Sequence, residues 1–276
     1  MPRLRSLLFV PGDRPDRMVK ALTLGADALI VDLEDSVALT NKAAARTAVA
    51  EFLGHARTTT LFVRINPLDS GLADDDLAAV LPAHPDGIVL PKAEGRASLA
   101  ALDAKLRGDM MILPIATETP AAIFSLGSYG GVTPRLAGLT WGAEDLPAAI
   151  GASASREADG SYTAPYQLAR SLTLFGAHAA GVPALETVYP DFRDIDGLAA
   201  YAARGRRDGF TGMMAIHPTQ VSVINAAFTP SAEEVAKAQA IVDLFAANPG
   251  AGALSLDGRM VDAPHLKAAQ ALLARA

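Results

Sequence analysis

The chain has 276 residues, half of them hydrophobic and a fifth charged, with a formal net charge of −6 and no cysteine. The absence of cysteine removes disulfides, zinc thiolate sites and thiol nucleophiles, and the acidic balance argues against nucleic acid as the main partner. No apolar run approaches the roughly 18 residues needed to cross a bilayer, and the short apolar stretch 7–10 ends in Pro-Gly, too soon for a signal peptide, so a soluble cytoplasmic protein without a membrane partner is expected.

Short apolar runs recur along the chain, each followed by a helical pattern. In order they are "SLLFVPG" (6–12), "ALIVDLED" (28–35), "TLFVRINP" (60–67), "GIVLPKA" (87–93), "MMILPIATE" (110–118), "LAGLTWGAED" (136–145), "PALETVYP" (183–190) and "GMMAIHP" (212–218). Continuous apolar strands alternating with helices read as βα units of a parallel sheet buried on both faces. Eight such units fit a (β/α)8 TIM barrel. An open doubly wound sheet would bring a glycine-rich phosphate fingerprint after the first strand, and "VPGDRPDRM" is not one.

The polar insert 151–167 reads as a loop over one end of the barrel. After the eighth unit, Thr229 or Ser231 can cap a helix that has Glu233 and Glu234 in its first turn and "NPG" as its stop. A glycine-containing turn (253–264) and a last helix from 265 follow. This tail exceeds what a barrel needs. The expected division is therefore a barrel over 1–228 and a C-terminal helical extension over 229–276, acting as a lid or subunit-exchange arm.

Active sites of such barrels lie where the strands end. The polar residues closing the eight runs are Asp13 and Arg14; Asp32, Glu34 and Asp35; Arg64 and Asn66; Lys92; Glu118; Glu144 and Asp145; Glu186; and His217. They are expected to converge on one mouth. Glu118 and Asp145 close adjacent runs and could share one hard cation such as Mg²⁺, which takes one or two protein carboxylates; helix capping would equally account for one acid per helix. Arg64 suits a substrate carboxylate or an enolate oxygen, or else an ion pair with Glu34 or Asp35. Lys92 could form a Schiff base, although an ion-paired lysine is preferred. His217 reads better as a packing residue than as a base. Arg14, Arg17 and Lys20 offer either phosphate contacts or a solvated surface.

Taken together, "SLLFVPGDRPDRMVKAL", "GADALIVDLEDSV", "VRINP", "VLPKAE", "ETP", "GAEDL", "AIHPTQV" and "GRMVDAPHLKAA" occur in an order that resembles the citrate lyase beta subunit-like proteins, with citryl-CoA, malyl-CoA and methylmalyl-CoA lyases among them. The resemblance runs from residue 6 to about 270. It implies a (β/α)8 barrel assembling as trimers or hexamers, with Mg²⁺ held by Glu118 and Asp145 and with Arg64 binding substrate. It further implies that Asp262 is an acid/base carried over the site by a neighbouring subunit's C-terminal segment; its residues alone read as the N-cap of the last helix. Arg14 and Lys20 become candidates for the CoA phosphates. Asp32 is then expected to be a hydrogen-bonded barrel residue, and Glu34, Asp35 and Lys92 supports of the metal site. The implied reaction is Mg²⁺-dependent carbon–carbon cleavage or formation of a β-hydroxyacyl-CoA such as citryl-CoA. Alternatives are a malyl-CoA or citramalyl-CoA lyase, a malate synthase or thioesterase-like variant, a citrate lyase subunit acting on an acyl-carrier thioester, and a metal-dependent pyruvate aldolase without CoA. The last usually places a histidine base early, and no histidine precedes His55.

Overall fold

Each of the eight apolar runs contains a strand, in a computed structural model that describes residues 2–55 and 57–276. They are β1 (Ser6–Pro11), β2 (Ala28–Asp32), β3 (Thr60–Arg64), β4 (Gly87–Leu90), β5 (Met111–Pro114), β6 (Leu139–Thr140), β7 (Ala184–Glu186) and β8 (Gly212–Ala215). All pair in parallel in the order β5-β4-β3-β2-β1-β8-β7-β6. The two ends of this order meet: Ala116 N–H donates to Thr140 O and Ala137 N–H to Ile112 O, each at 2.9 Å. The sheet is thus a closed (β/α)8 barrel.

Helices follow the strands in turn: α1 (Pro15–Ala21), α2 (Lys42–Leu53), α3 (Ala73–Val80), α4 (Arg96–Asp103), α5 (Pro120–Ser125), α6 (Leu146–Ile150) with α7 (Ala164–Ala180), α8 (Ile195–Asp208) and α9 (Pro218–Ala227). Alternate side chains of a strand face opposite ways, and one set fills the barrel. Leu7, Ala28, Ile30, Phe62, Val89, Leu113, Leu185 and Met214 form one buried cluster. Two residues further along six of the strands, the same inward series reaches Phe9, Asp32, Arg64, Ile115, Thr187 and Ile216, all of which line a cavity at the strands' C-terminal ends.

The 151–167 insert is less of a loop than its composition implies. Helix α7 begins inside it, and Tyr162 is buried with its ring edge-on to Trp141, centroids 5.1 Å apart.

By its contacts the chain forms two compact units that meet between Asn225 and Ala226, three residues before the expected boundary. The second unit contains α10 (Ala232–Ala247), the antiparallel strands β9 (Ala253–Leu256) and β10 (Arg259–Asp262), and α11 (Ala263–Leu273). Ser231 caps α10 in a capping box with Glu234. The segment expected to be a turn is a hairpin, because Asp257 and Gly258 both take positive φ, 52° and 74°, the two-residue turn that matches strand twist. Ala238, Ile241, Val261 and Ala269 make this unit's own core. Among the described residues no helix is long and apolar enough to cross a membrane.

Candidate active site

The cavity at the barrel mouth measures about 420 Å³. Its lining holds the charged side chains Asp32, Asp35, Arg64, Glu118, Glu144 and Asp145 together with the apolar Phe9, Ile115, Val188, Met214 and Ile216. Arg64 is the one cation lining it among the described residues.

Arg64 is anchored rather than free. Its Nε and Nη2 each donate to an oxygen of Asp32 at 2.7 Å, and Nη1 lies 2.8 Å from Glu34 Oε2 and 4.0 Å from Asp35. The guanidinium also sits over the Phe9 ring, 4.9 Å from its centroid. Burial opposes its charge, but Asp32, with Glu34 and Glu118 beyond, more than offsets this and raises its pKa. Burial also opposes ionisation of Asp32, yet the Arg64 pair and the N–H groups of Glu34 and Ser36 hold its carboxyl below the usual range. Asp32 is thus the hydrogen-bonded barrel residue expected, and the ion pair anticipated for Arg64 includes Glu34. A guanidinium has five N–H groups in a rigid fork, so an Arg64 fixed through Asp32 still presents donors to the cavity.

Glu118 is 4% exposed and accepts the Lys92 N–H at 2.6 Å through Oε2. Burial, with the charges of Glu34 and Asp145, pushes its pKa up to about 8. Its seat depends on Gly142, where a Cβ would come within 2.9 Å of Glu118 Cγ. The capping alternative fails for both acids. Thr119 caps α5, with its hydroxyl accepting from Ala122 N–H at 3.1 Å. Asp145 occupies the N-cap of α6, but its carboxylate makes no capping bond. Lys92 ties the acids together: Nζ lies 2.8 Å from Glu34 Oε1 and 3.4 Å from Asp145 Oδ1. Its backbone is left-handed, φ 48°, which aims its N–H at Glu118. Despite burial, Glu34 foremost raises the Lys92 pKa, so this lysine is a protonated ion-pair partner and a poor Schiff-base nucleophile.

No group of three or more metal-ligating side chains forms among the described residues. Two oxygen donors in a net acidic, half-open cavity nevertheless suit Mg²⁺, which retains water and substrate oxygens for the rest of its shell.

Other strand-end residues do not converge as expected. Glu186 faces outward from β7, as strand alternation requires, and is fully buried against Trp141, Arg170 and Tyr201. His217 stacks on Phe192, centroids 4.6 Å apart, with Nδ1 2.8 Å from Thr219 Oγ1. Asn66 is tied to Lys42, Leu33 O and Asp76. Asp13 accepts from Asn41. Arg14 is exposed, 4.0 Å from Asp13, and Lys20 is in the last turn of α1; neither lines the cavity. Asp262 lies in the second unit at the N-cap of α11, its Oδ1 2.5 Å from His265 Nδ1, an interaction that lowers its pKa.

Periodicity missed Lys42, Thr117 and Gly142. Lys42 Nζ is nearly buried and donates to Leu33 O, Glu34 O and Asn66 Oδ1 at 2.6–2.8 Å, which holds the loop bearing Glu34. A lysine opening a helix gives no sequence signal of that role.

The HpcH/HpaI aldolase/citrate lyase family profile matches residues 5–218. The chain belongs to the HpcH/HpaI aldolase/citrate lyase family. Among members of this aldolase/citrate lyase family, it is 39% identical over 272 residues to the citrate lyase subunit beta-like protein of Mycobacterium tuberculosis, covering 98% of this chain and 94% of that one. It is 33% identical over 293 residues to the mitochondrial citramalyl-CoA lyase of Rattus norvegicus, covering 98% and 85%. The crystal structure of the CitE protein of Mycobacterium tuberculosis in complex with magnesium, acetoacetate and coenzyme A superimposes with a TM-score of 0.84 at 34% identity, covering 98% and 97%.

Proposed function

We propose that this protein is a Mg²⁺-dependent carbon–carbon lyase that cleaves, or in reverse forms, a β-hydroxyacyl-CoA thioester. The observation that carries the reading is the pair Glu118 and Asp145, two carboxylates unused by capping that line one cavity with Arg64. Relatives named as lyases, and one solved with magnesium and coenzyme A, support it.

Glu118 and Asp145 would hold the Mg²⁺. Once bound, the metal supplies Lewis acidity to the substrate's hydroxyl and adjoining carboxylate. Cleavage breaks the bond between the hydroxyl-bearing carbon and the carbon next to the thioester. The electron pair goes to the thioester as an enolate, the hydroxyl gives its proton to water, and a 2-oxo acid leaves. Arg64, held in place by Asp32, donates to the enolate oxygen. Asp262 of a neighbouring copy is the proposed donor of the proton to the enolate carbon. That assignment is tested by complementation: mixing Asp262→Asn chains with Glu118→Ala chains should restore activity that neither has alone, and no recovery in a mixed oligomer would remove Asp262 from the site.

The cavity also bears on the acyl group. Its lining already holds five carboxylates, and most of the rest of it is apolar. A second substrate carboxylate, as in a citryl group, would meet like charge or lose hydration against apolar side chains. A hydrogen or methyl there suits the wall, which favours malyl or citramalyl thioesters over citryl. Mass spectrometry of products from a panel of the three CoA thioesters with Mg²⁺, and of the same acyl groups on a carrier protein, tests this. Acetyl-CoA from the malyl or citramalyl substrate, with citryl slower by about tenfold or more, is expected. Faster citryl cleavage would reverse the preference, and cleavage of none would sink the lyase reading.

A further inference from the structure

Strand β6 is the shortest of the barrel, two residues long, yet the segment after it carries both the glycine that seats Glu118 and Asp145 itself. Beyond Thr140 the parallel ladder has ended. Two side chains replace it. From the β5 side, Thr117 Oγ1 donates to Gly142 O at 2.9 Å and accepts Gly142 N–H at 3.0 Å. From the β7 side, Trp141 Nε1 donates to Glu186 Oε1 at 2.6 Å.

Glu186 is held far more tightly than one strand-end acid needs. Tyr201 OH donates to Oε1 at 2.9 Å, Thr187 N–H to the same oxygen at 3.1 Å, and Arg170 Nε to Oε2 at 2.7 Å. Arg170 is itself braced by Asp208 at 2.8 Å. Both Trp141 and Glu186 are fully buried. A buried carboxylate with this many donors is fixed in direction. The carboxylate thus becomes a fixed point tied to α7 through Arg170, to α8 through Tyr201 and to the segment after β6 through Trp141.

We propose that Glu186 is a positioning residue for the metal site: by accepting the Trp141 N–H it sets the path of residues 141–145, and through them Gly142 and Asp145. The inference rests on the Mg²⁺ reading above. It has a built-in reporter, because Trp141 is the only tryptophan in the chain.

The test is a Mg²⁺ titration of the full-length protein, followed by calorimetry and, where the indole remains, by tryptophan fluorescence. Trp141→Phe keeps a ring but deletes the N–H. Tyr201→Phe removes a different donor to the same carboxylate and leaves the 141–145 segment its anchor. Emission of the wild type should change with Mg²⁺ at the calorimetric Kd. Trp141→Phe should raise that Kd about tenfold, as loss of a supporting hydrogen bond does at metal sites, while Tyr201→Phe stays near wild type. If the wild type binds Mg²⁺ but Trp141→Phe matches it, or if the two variants weaken binding equally, the network only stabilises the barrel wall and the proposal is overturned. If the wild type binds no Mg²⁺, the metal reading falls and this proposal falls with it.

Discussion

At Glu118, burial and two neighbouring acids work against a negative charge, and a cation is what would relieve it. With a pKa of about 8 against an ordinary value of 4.5, the sign of the linkage is definite. Between those values the unfolded chain ionises this group and the metal-free fold keeps it protonated, so stability falls as pH rises through the window. Mg²⁺ binding below about pH 8 must then displace a proton. Calorimetry in buffers of different ionisation enthalpy should show proton release near pH 6.5 that vanishes above about pH 9; release independent of pH would contradict the assignment. Replacing Glu118 or Asp145 by Ala should weaken Mg²⁺ binding by about 100-fold or more, and Glu34→Gln by about tenfold. Asp35, more exposed and 4.0 Å from Arg64, should matter less than Glu34. Removing Asp32 would strand a buried guanidinium, so Asp32→Ala should cost about 3–5 kcal/mol in denaturant unfolding.

Among the elements, the strand ends show what could be read in advance. Continuous apolar runs placed all eight strands, and the inward series ending in Asp32 and Arg64 follows from alternation alone. The same rule, applied to β7, would have turned Glu186 away from the mouth; proximity to a strand end does not decide which face a side chain takes. Lys92 is legible as an ion-paired lysine, but its left-handed backbone and its N–H to Glu118 are not, since no residue type announces them. Nor does sequence reveal that Gly142 is small because Glu118 Cγ is in the way. Gly142→Ala should therefore impair Mg²⁺ binding at least as much as Glu34→Gln, about tenfold, with thermal unfolding and calorimetry read side by side; unchanged binding would show that Glu118 has another seat. In the second unit, the sequence offered Thr229 or Ser231 as the cap of α10 and the structure uses Ser231, so Ser231→Ala should loosen α10 by about 1 kcal/mol in hydrogen exchange.

For the whole molecule, the barrel does one thing for function: it brings residues separated by more than a hundred positions to one rim. Asp32, Arg64, Glu118 and Asp145 come from four different strand ends, and Gly142, Ala143, Thr187 and Val188, just beyond β6 and β7, add to the wall. The second unit has its own core and carries Asp262, the residue proposed as proton donor to the site of a neighbouring copy. The most direct test of the account is acetyl-CoA release from citramalyl-CoA and malyl-CoA, followed for the wild type with Mg²⁺, with a chelator, and for Glu118→Ala. The account predicts release with Mg²⁺ alone and a loss of about 100-fold or more in the other two. Undiminished release with the chelator or in Glu118→Ala would contradict it.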